Sequence, residues 1–144
     1  MLFLSTWPLK LRRFTAMLAV IGAGLLLRRF GYDAGLPFFV VKYGGSVLWG
    51  AMVFLVLAGV TGSRRLGMLT LSALAVALAV EMSRLYHTPA LDAFRLTTAG
   101  KLLLGRVFSV WNIAAYCIGI AVAAFAERHF CRIDHDQRRC SAQE

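Results

Sequence analysis

An all-α, polytopic membrane bundle of four transmembrane helices, with a short interfacial helix between the third and fourth, is the fold this sequence predicts. Three observations carry the prediction. Hydrophobic residues fill 59% of the 144 positions, and a mean hydropathy of +0.68 leaves too little polar surface to clothe a soluble globule of 15.8 kDa. Apolar stretches recur at about 43–63, 66–86 and 107–126, each about 20 residues long, which at about 1.5 Å per residue crosses a hydrocarbon core of about 30 Å. Basic residues gather at the ends of these stretches, where lipid headgroups lie.

The first span, about 10–30, has a short apolar run, Phe14–Leu27, after Lys10, Arg12 and Arg13. That order mimics a secretory signal, but Arg28, Arg29 and Phe30 follow in place of a small-x-small cleavage site. Arginine stems reach the headgroups and let a short run serve as a retained helix. The connection Arg28–Lys42 holds Gly31, Gly35 and Pro37, and its Phe38–Val41 run is expected to re-enter or press on the headgroup layer. A tight turn at Thr61–Arg65 joins the second and third spans as a helical hairpin. Between Tyr86 and Arg106, residues Ala90–Ala99 carry Leu91, Phe94 and Leu96 and form the expected interfacial helix. The fourth span leads to a polar tail, 129–144. Trp7, Trp49 and Trp111, each near a span end, fit an aromatic belt.

An even number of spans puts both termini on one side. With the termini in the cytoplasm, nine basic residues lie inside (Lys10, Arg12, Arg13, Arg64, Arg65, Arg128, Arg132, Arg138, Arg139) and seven outside (Arg28, Arg29, Lys42, Arg84, Arg95, Lys101, Arg106). The positive-inside rule therefore favours cytoplasmic termini by a narrow margin. The outer cations are explained by solvation, by pairing with Glu81, Asp33 and Asp92, or by an anionic headgroup. The formal net charge of +9 points to membrane lipids and not to nucleic acid, because no basic patch interleaves with aromatics on a soluble surface. Cys117, Cys131 and Cys140 fit no disulfide framework, and with His129 and His135 the tail matches no zinc spacing. No metal and no cofactor is expected.

On the third span Thr70, Ala73, Ala77, Glu81, Arg84 and Thr88 share one narrow sector, and such a sector faces protein. On the fourth, Ser109, Asn112, Tyr116, Gly119 and Ala123 do the same, and Ala115, Gly119 and Ala123 form a small-xxx-small run that permits close helix packing. The two stripes are expected to pack together. Glu81, about five residues from its helix end, needs a partner or a proton. Arg84 at i+3, Asn112, and Arg106 or Lys101 could supply the partner. The network either locks the helices in register or handles a proton or headgroup, and the residues alone leave both readings open. His87, beside Tyr86 and Asp92, reads as a turn-stabilising histidine. No nucleotide loop, Cys-x-x-Cys pair or paired-carboxylate motif occurs.

The pattern Glu81-x-x-Arg84-Leu85-Tyr86-His87-x-Pro89-x-Leu91-Asp92-x-x-Arg95, then Gly105-x-x-Phe108-x-x-Trp111-Asn112-x-x-Ala115-Tyr116-x-x-Gly119, resembles DUF2809, a bacterial family of small four-helix inner-membrane proteins of unknown function. Phe38–Ser46 resembles its other shared block. The resemblance implies a fold and an inner-membrane location and brings no catalytic residue. Glu81-x-x-Arg84 and Asn112…Gly119 also look, more distantly, like the acidic and amide positions of VanZ-like proteins, which are associated with glycopeptide tolerance. In the family pattern the positions of Ser46, Arg84 and Asn112 more usually carry aspartate, glutamine and aspartate. Here Glu81 is left as the sole buried acid of that cluster, and the outer face becomes more electropositive.

The leading expectation is therefore a non-enzymatic protein that binds an anionic lipid or cell-envelope intermediate on the outer-leaflet side. Its pocket would comprise Glu81, Arg84, Asp92, Arg95, Arg106, Asn112 and Tyr116, with the cations holding phosphate. A second reading is a small envelope enzyme or proton-coupled transporter using Glu81 near His87. A third is a structural assembly partner, a homodimer or a complex with another membrane protein, whose Ala115, Gly119 and Ala123 face recruits a further helix.

Overall fold

The computed structural model describes residues 9–63, 65–103 and 108–140, with side chains described over 10–63, 65–100 and 108–130. Every regular element among them is a helix: α1 Leu9–Phe30, α2 Phe38–Thr61, α3 Leu66–Ser83, α4 Pro89–Leu96, α5 Thr98–Leu103 and α6 Val110–Cys140. α2, α3 and the Val110–Phe130 part of α6 are long and apolar enough to cross a membrane. Their outward faces agree with a lipid environment, since Val60, Leu71 and Phe125 are each at least 70% exposed. So large an apolar surface would be a liability in water. These are features of a multi-pass membrane protein.

α2 is the centre of the bundle, packing against α1, α3 and α6. Arg28 near the end of α1 lies over Gly45 near the start of α2, and Arg13 near the start of α1 reaches Ala58 near the end of α2. The two helices are therefore antiparallel. Gly62, in the left-handed region at φ 61°, ends α2 and turns the chain into α3. α6 then runs parallel to α2, because Ser46 meets Asn112 near both starts, and further along both helices Arg13 bridges Ala58 to Glu127.

Hydrophobicity does little to drive helices together inside a bilayer, so close packing of small residues has to do so. A Cβ on Gly119 would lie 1.9 Å from the Val47 carbonyl oxygen, and one on Gly50 would lie 2.6 Å from that of Tyr116. These two glycines let the α2 and α6 backbones touch. Phe54, Ala58, Ala73, Ala77, Tyr116, Ile120 and Ala123 fill the core around them.

Several expectations change. The Ala115, Gly119 and Ala123 face is buried, but Gly119 packs on α2 where the third span was expected, and this face is covered within the chain instead of waiting for another helix. The reason is geometric: a short diagonal between α2 and α6 needs small residues on both sides, and Gly50 supplies the second. Phe38–Val41 does not re-enter. It is the first turn of α2, with Val41 buried. That earlier start leaves Trp49 in mid-helix, packed against Tyr116, and not in a belt at a span end. α3 ends at Ser83, so Thr88 leaves its stripe and caps α4 through Oγ1, which accepts from the Leu91 amide at 3.4 Å. The interfacial-helix segment is two short helices, α4 and α5. α6 continues as helix through Cys140, into the segment read as tail.

Candidate functional site

Glu81 sits one turn before α3 tightens into the i→i+3 bonds of Arg84, Leu85 and Tyr86, and it is fully buried. Its Oε2 lies 2.6 Å from Arg84 Nη1. Its Oε1 accepts from the Ser109 amide at 2.7 Å and from Asn112 Nδ2 at 3.3 Å. The Ser109 amide is one of the unpaired donors at the start of α6, so Glu81 also caps that helix from outside. Arg84 Nη2 donates to Tyr116 Oη at 2.9 Å. Ser46 Oγ lies 3.3 Å from both Asn112 Oδ1 and the Lys42 carbonyl, so its single proton is shared between them. The Asn112 amide thus gives to a carboxylate and takes from a hydroxyl, two roles that a carboxylate at this position could not combine.

The network joins α2, α3 and α6 at one end of the bundle. One carboxylate meets one guanidinium, both buried, so its charge closes on itself. Such a group fixes helix register and leaves little cationic character for a ligand. Tyr116 extends it sideways: its ring packs against Trp49 with centroids 4.9 Å apart.

Asp92 and Arg95 form a separate cluster. Arg95 Nη1 donates to Asp92 Oδ1 and to the Tyr86 carbonyl, each at 3.0 Å, and Nη2 donates to the Ser83 carbonyl. A guanidinium placed over carbonyls at a helix C-terminus satisfies acceptors that α3 itself cannot. Arg95 is buried and clamps α4 onto the end of α3. His87 Nδ1 lies 3.3 Å from Asp92 Oδ1 at the exposed edge, the turn contact its position predicted. Partial desolvation raises the Asp92 carboxyl, but the hydrogen bonds and charges of His87 and Arg95 outweigh it and hold its pKa below the ordinary value. Of the predicted pocket, Glu81, Arg84, Asn112 and Tyr116 come together, Asp92 and Arg95 stand apart as a helix clamp, and Arg106 lies outside the described residues.

A groove of about 360 Å³ opens beside the network between α1 and α2. Leu25, Leu48, Trp49 and Met52 line it together with Ala99 of α5, and the exposed Arg28 is the charged residue of its lining. Gly45 makes room for that guanidinium, whose Nε would lie 3.4 Å from a Cβ there. The indole Nε1 of Trp49 is buried with no hydrogen-bond partner among the described residues.

Sequence reasoning missed the other end of the bundle. Arg13, 2% exposed, donates from Nε to Glu127 Oε1 at 2.9 Å, from Nη1 to the Ala58 carbonyl at 2.6 Å and from Nη2 to the Ser63 carbonyl at 2.9 Å. Arg12 is buried beside it. These arginines were read as headgroup anchors, but they are drawn into the bundle. The signal was present: extending the Asn112, Tyr116, Gly119, Ala123 stripe by one more turn reaches Glu127.

Residues 35–120 match the model of the DUF2809 family, described as a protein of unknown function, and the chain belongs to that family. The matched segment contains the whole Glu81 network and leaves α1 outside. No solved structure matches the chain.

Proposed function

For a chain of this family, we propose a four-span inner-membrane protein with both termini in the cytoplasm that binds an anionic lipid or lipid-linked envelope intermediate at its outer-leaflet end. α1 supplies the fourth span. Its 22 residues cover about 33 Å, it lies antiparallel along α2, and Phe14, Leu18, Leu25 and Leu26 form an exposed apolar face between its flanking arginines. Lys10 at one end and Arg29 at the other are exposed and reach the headgroups.

The observation that carries the binding reading is the α1–α2 groove. Its walls are almost wholly apolar and suit acyl chains, while the exposed Arg28 of its lining makes no ion pair among the described residues. Lipid phosphate fits a guanidinium in bidentate fashion, and the buried Trp49 Nε1 offers a further donor to a headgroup or ester oxygen. The Glu81 network plays a supporting part: it holds Tyr116, Tyr116 holds Trp49, and Trp49 shapes the groove. In this reading the phosphate sits on Arg28 and not on Arg84 or Arg95, whose charges meet Glu81 and Asp92.

Mass spectrometry of the gently purified protein tests it. Wild type should carry a stoichiometric anionic lipid, and Arg28→Gln should weaken its retention about tenfold or more, the worth of one charged hydrogen-bonded contact. Trp49→Phe should cause a smaller loss. Undiminished lipid on folded Arg28→Gln overturns the assignment.

A further inference from the structure

At the opposite end of the bundle, a second cavity of about 210 Å³ lies between α1, α2 and α6. It holds three charged side chains: Arg12, Arg13 and Glu127. Arg13 and Glu127 satisfy each other through a 2.8 Å ion pair. Arg12 is different. It is 7% exposed, yet its Nη2 has no hydrogen-bond partner among the described residues, and its guanidinium lies over the face of the Phe130 ring, Cζ 5.1 Å from the centroid. Among the described residues the pocket therefore carries one buried positive charge without a counter-charge.

A guanidinium keeps its positive charge in proteins, so the situation is not relieved from within the side chain. A buried, uncompensated charge persists only if something of opposite sign joins it. Phe130 takes one face of the guanidinium and leaves the in-plane N–H groups for a planar or tetrahedral oxyanion. Glu127, already engaged by Arg13, does not provide it.

We propose that Arg12 is the phosphate anchor of a second lipid site, occupied by an anionic phospholipid in the leaflet on the side of the chain termini. The walls favour a lipid over free phosphate. Ala16 and Val20 of α1, Leu55 of α2, and Val122 and Ala126 of α6 present no polar side-chain atoms to the remaining oxygens of an inorganic ion, but they suit the first methylenes of an acyl chain. At about 210 Å³ the cavity lies below the range of sites that enclose a whole drug-sized ligand, which starts at about 300 Å³, so it grips the headgroup phosphate and the top of one chain. This site shares no polar residue with the Arg28 groove, and the two linings meet at Val20, midway along α1.

The test uses the whole chain in the Arg28→Gln background, so that the outer groove is already weakened and the two assignments stand or fall separately. Native mass spectrometry follows titration with phosphatidylglycerol, phosphatidylcholine and inorganic phosphate, and circular dichroism checks the helix content. Arg28→Gln alone should hold one phosphatidylglycerol per chain in preference to phosphatidylcholine. Adding Arg12→Gln should weaken that binding about tenfold or more. Adding Ala126→Trp, which fills the cavity and leaves every charge in place, should do the same, and it decides the matter if the arginine variant does not fold. Equal phosphatidylglycerol binding with and without these substitutions overturns the proposal. So does displacement of the lipid by inorganic phosphate at equal concentration, which would make the site one for a free anion.

Discussion

Replacing Gly119 with alanine probes the contact that brings α2 and α6 together, and the structure fixes both the sign and the size of the effect. The new Cβ would lie 1.9 Å from the Val47 carbonyl oxygen, 2.8 Å from its carbon and 3.0 Å from the Ala51 nitrogen. All three are backbone atoms, so no rotamer change relieves the clash. To bring the methyl into ordinary contact, the helices must part by about 1.5 Å. A gap of about 0.5–1 Å already forfeits a quarter to a half of a dispersion contact, so the parting loses more than half along the crossing. Overpacking of this kind costs about 1–3 kcal/mol, and an immovable backbone puts it at the upper end. Alanine returns at most about 1 kcal/mol of helix propensity, leaving a net loss of about 2 kcal/mol. Gly59, where nothing lies within 4 Å of an added Cβ, is the control. Gly59→Ala gains the same propensity without the clash, so the two variants should differ by about 3 kcal/mol. Reversible unfolding in mixed micelles, followed by helicity, measures the difference. Equal midpoints for the two variants would refute the reasoning.

The remaining predictions concern the charged groups. Glu81→Gln removes the carboxylate facing Arg84 and should destabilise the fold by about 3–5 kcal/mol, and a Glu81→Gln, Arg84→Gln double variant should recover part of that loss. Strictly additive losses in that cycle would show that the two groups do not act as a pair. Arg13→Ala removes bonds to Glu127, Ala58 and Ser63 and should cost about 3–5 kcal/mol in the same unfolding assay, because three elements lose a shared partner. A loss within the error of the Gly59→Ala control would contradict the structure. The lowered pKa of Asp92 makes the α4 clamp pH-dependent. Its contribution is complete above the unfolded value of about 4 and is lost as pH falls through the lower folded value. Hydrogen exchange of the α4 amides should therefore quicken at acid pH in wild type, while Asp92→Asn should be fast throughout. An α4 protection that ignores pH in both would remove Asp92 from the clamp.

Hydropathy and small-residue spacing determined much of this molecule by themselves. The helical class, the three apolar helices, the hairpin turn before Leu66, the Glu81–Arg84 pair and the inward face of Asn112, Tyr116 and Gly119 are all properties of local periodicity and of the penalty on an unpaired buried charge. These act within one or two helical turns and can be read along the chain. Tertiary structure alone decided which helix each face meets. The glycines of α2 and α6 find each other across a diagonal that no spacing rule encodes, because small residues state that a backbone comes close but not whose. Register also decided that Arg95 clamps a helix end while Arg28 stays exposed. It drew Arg12 and Arg13 inward, since burial of a long cationic side chain depends on whether carbonyls, a carboxylate or a ring from distant segments arrive at its tip.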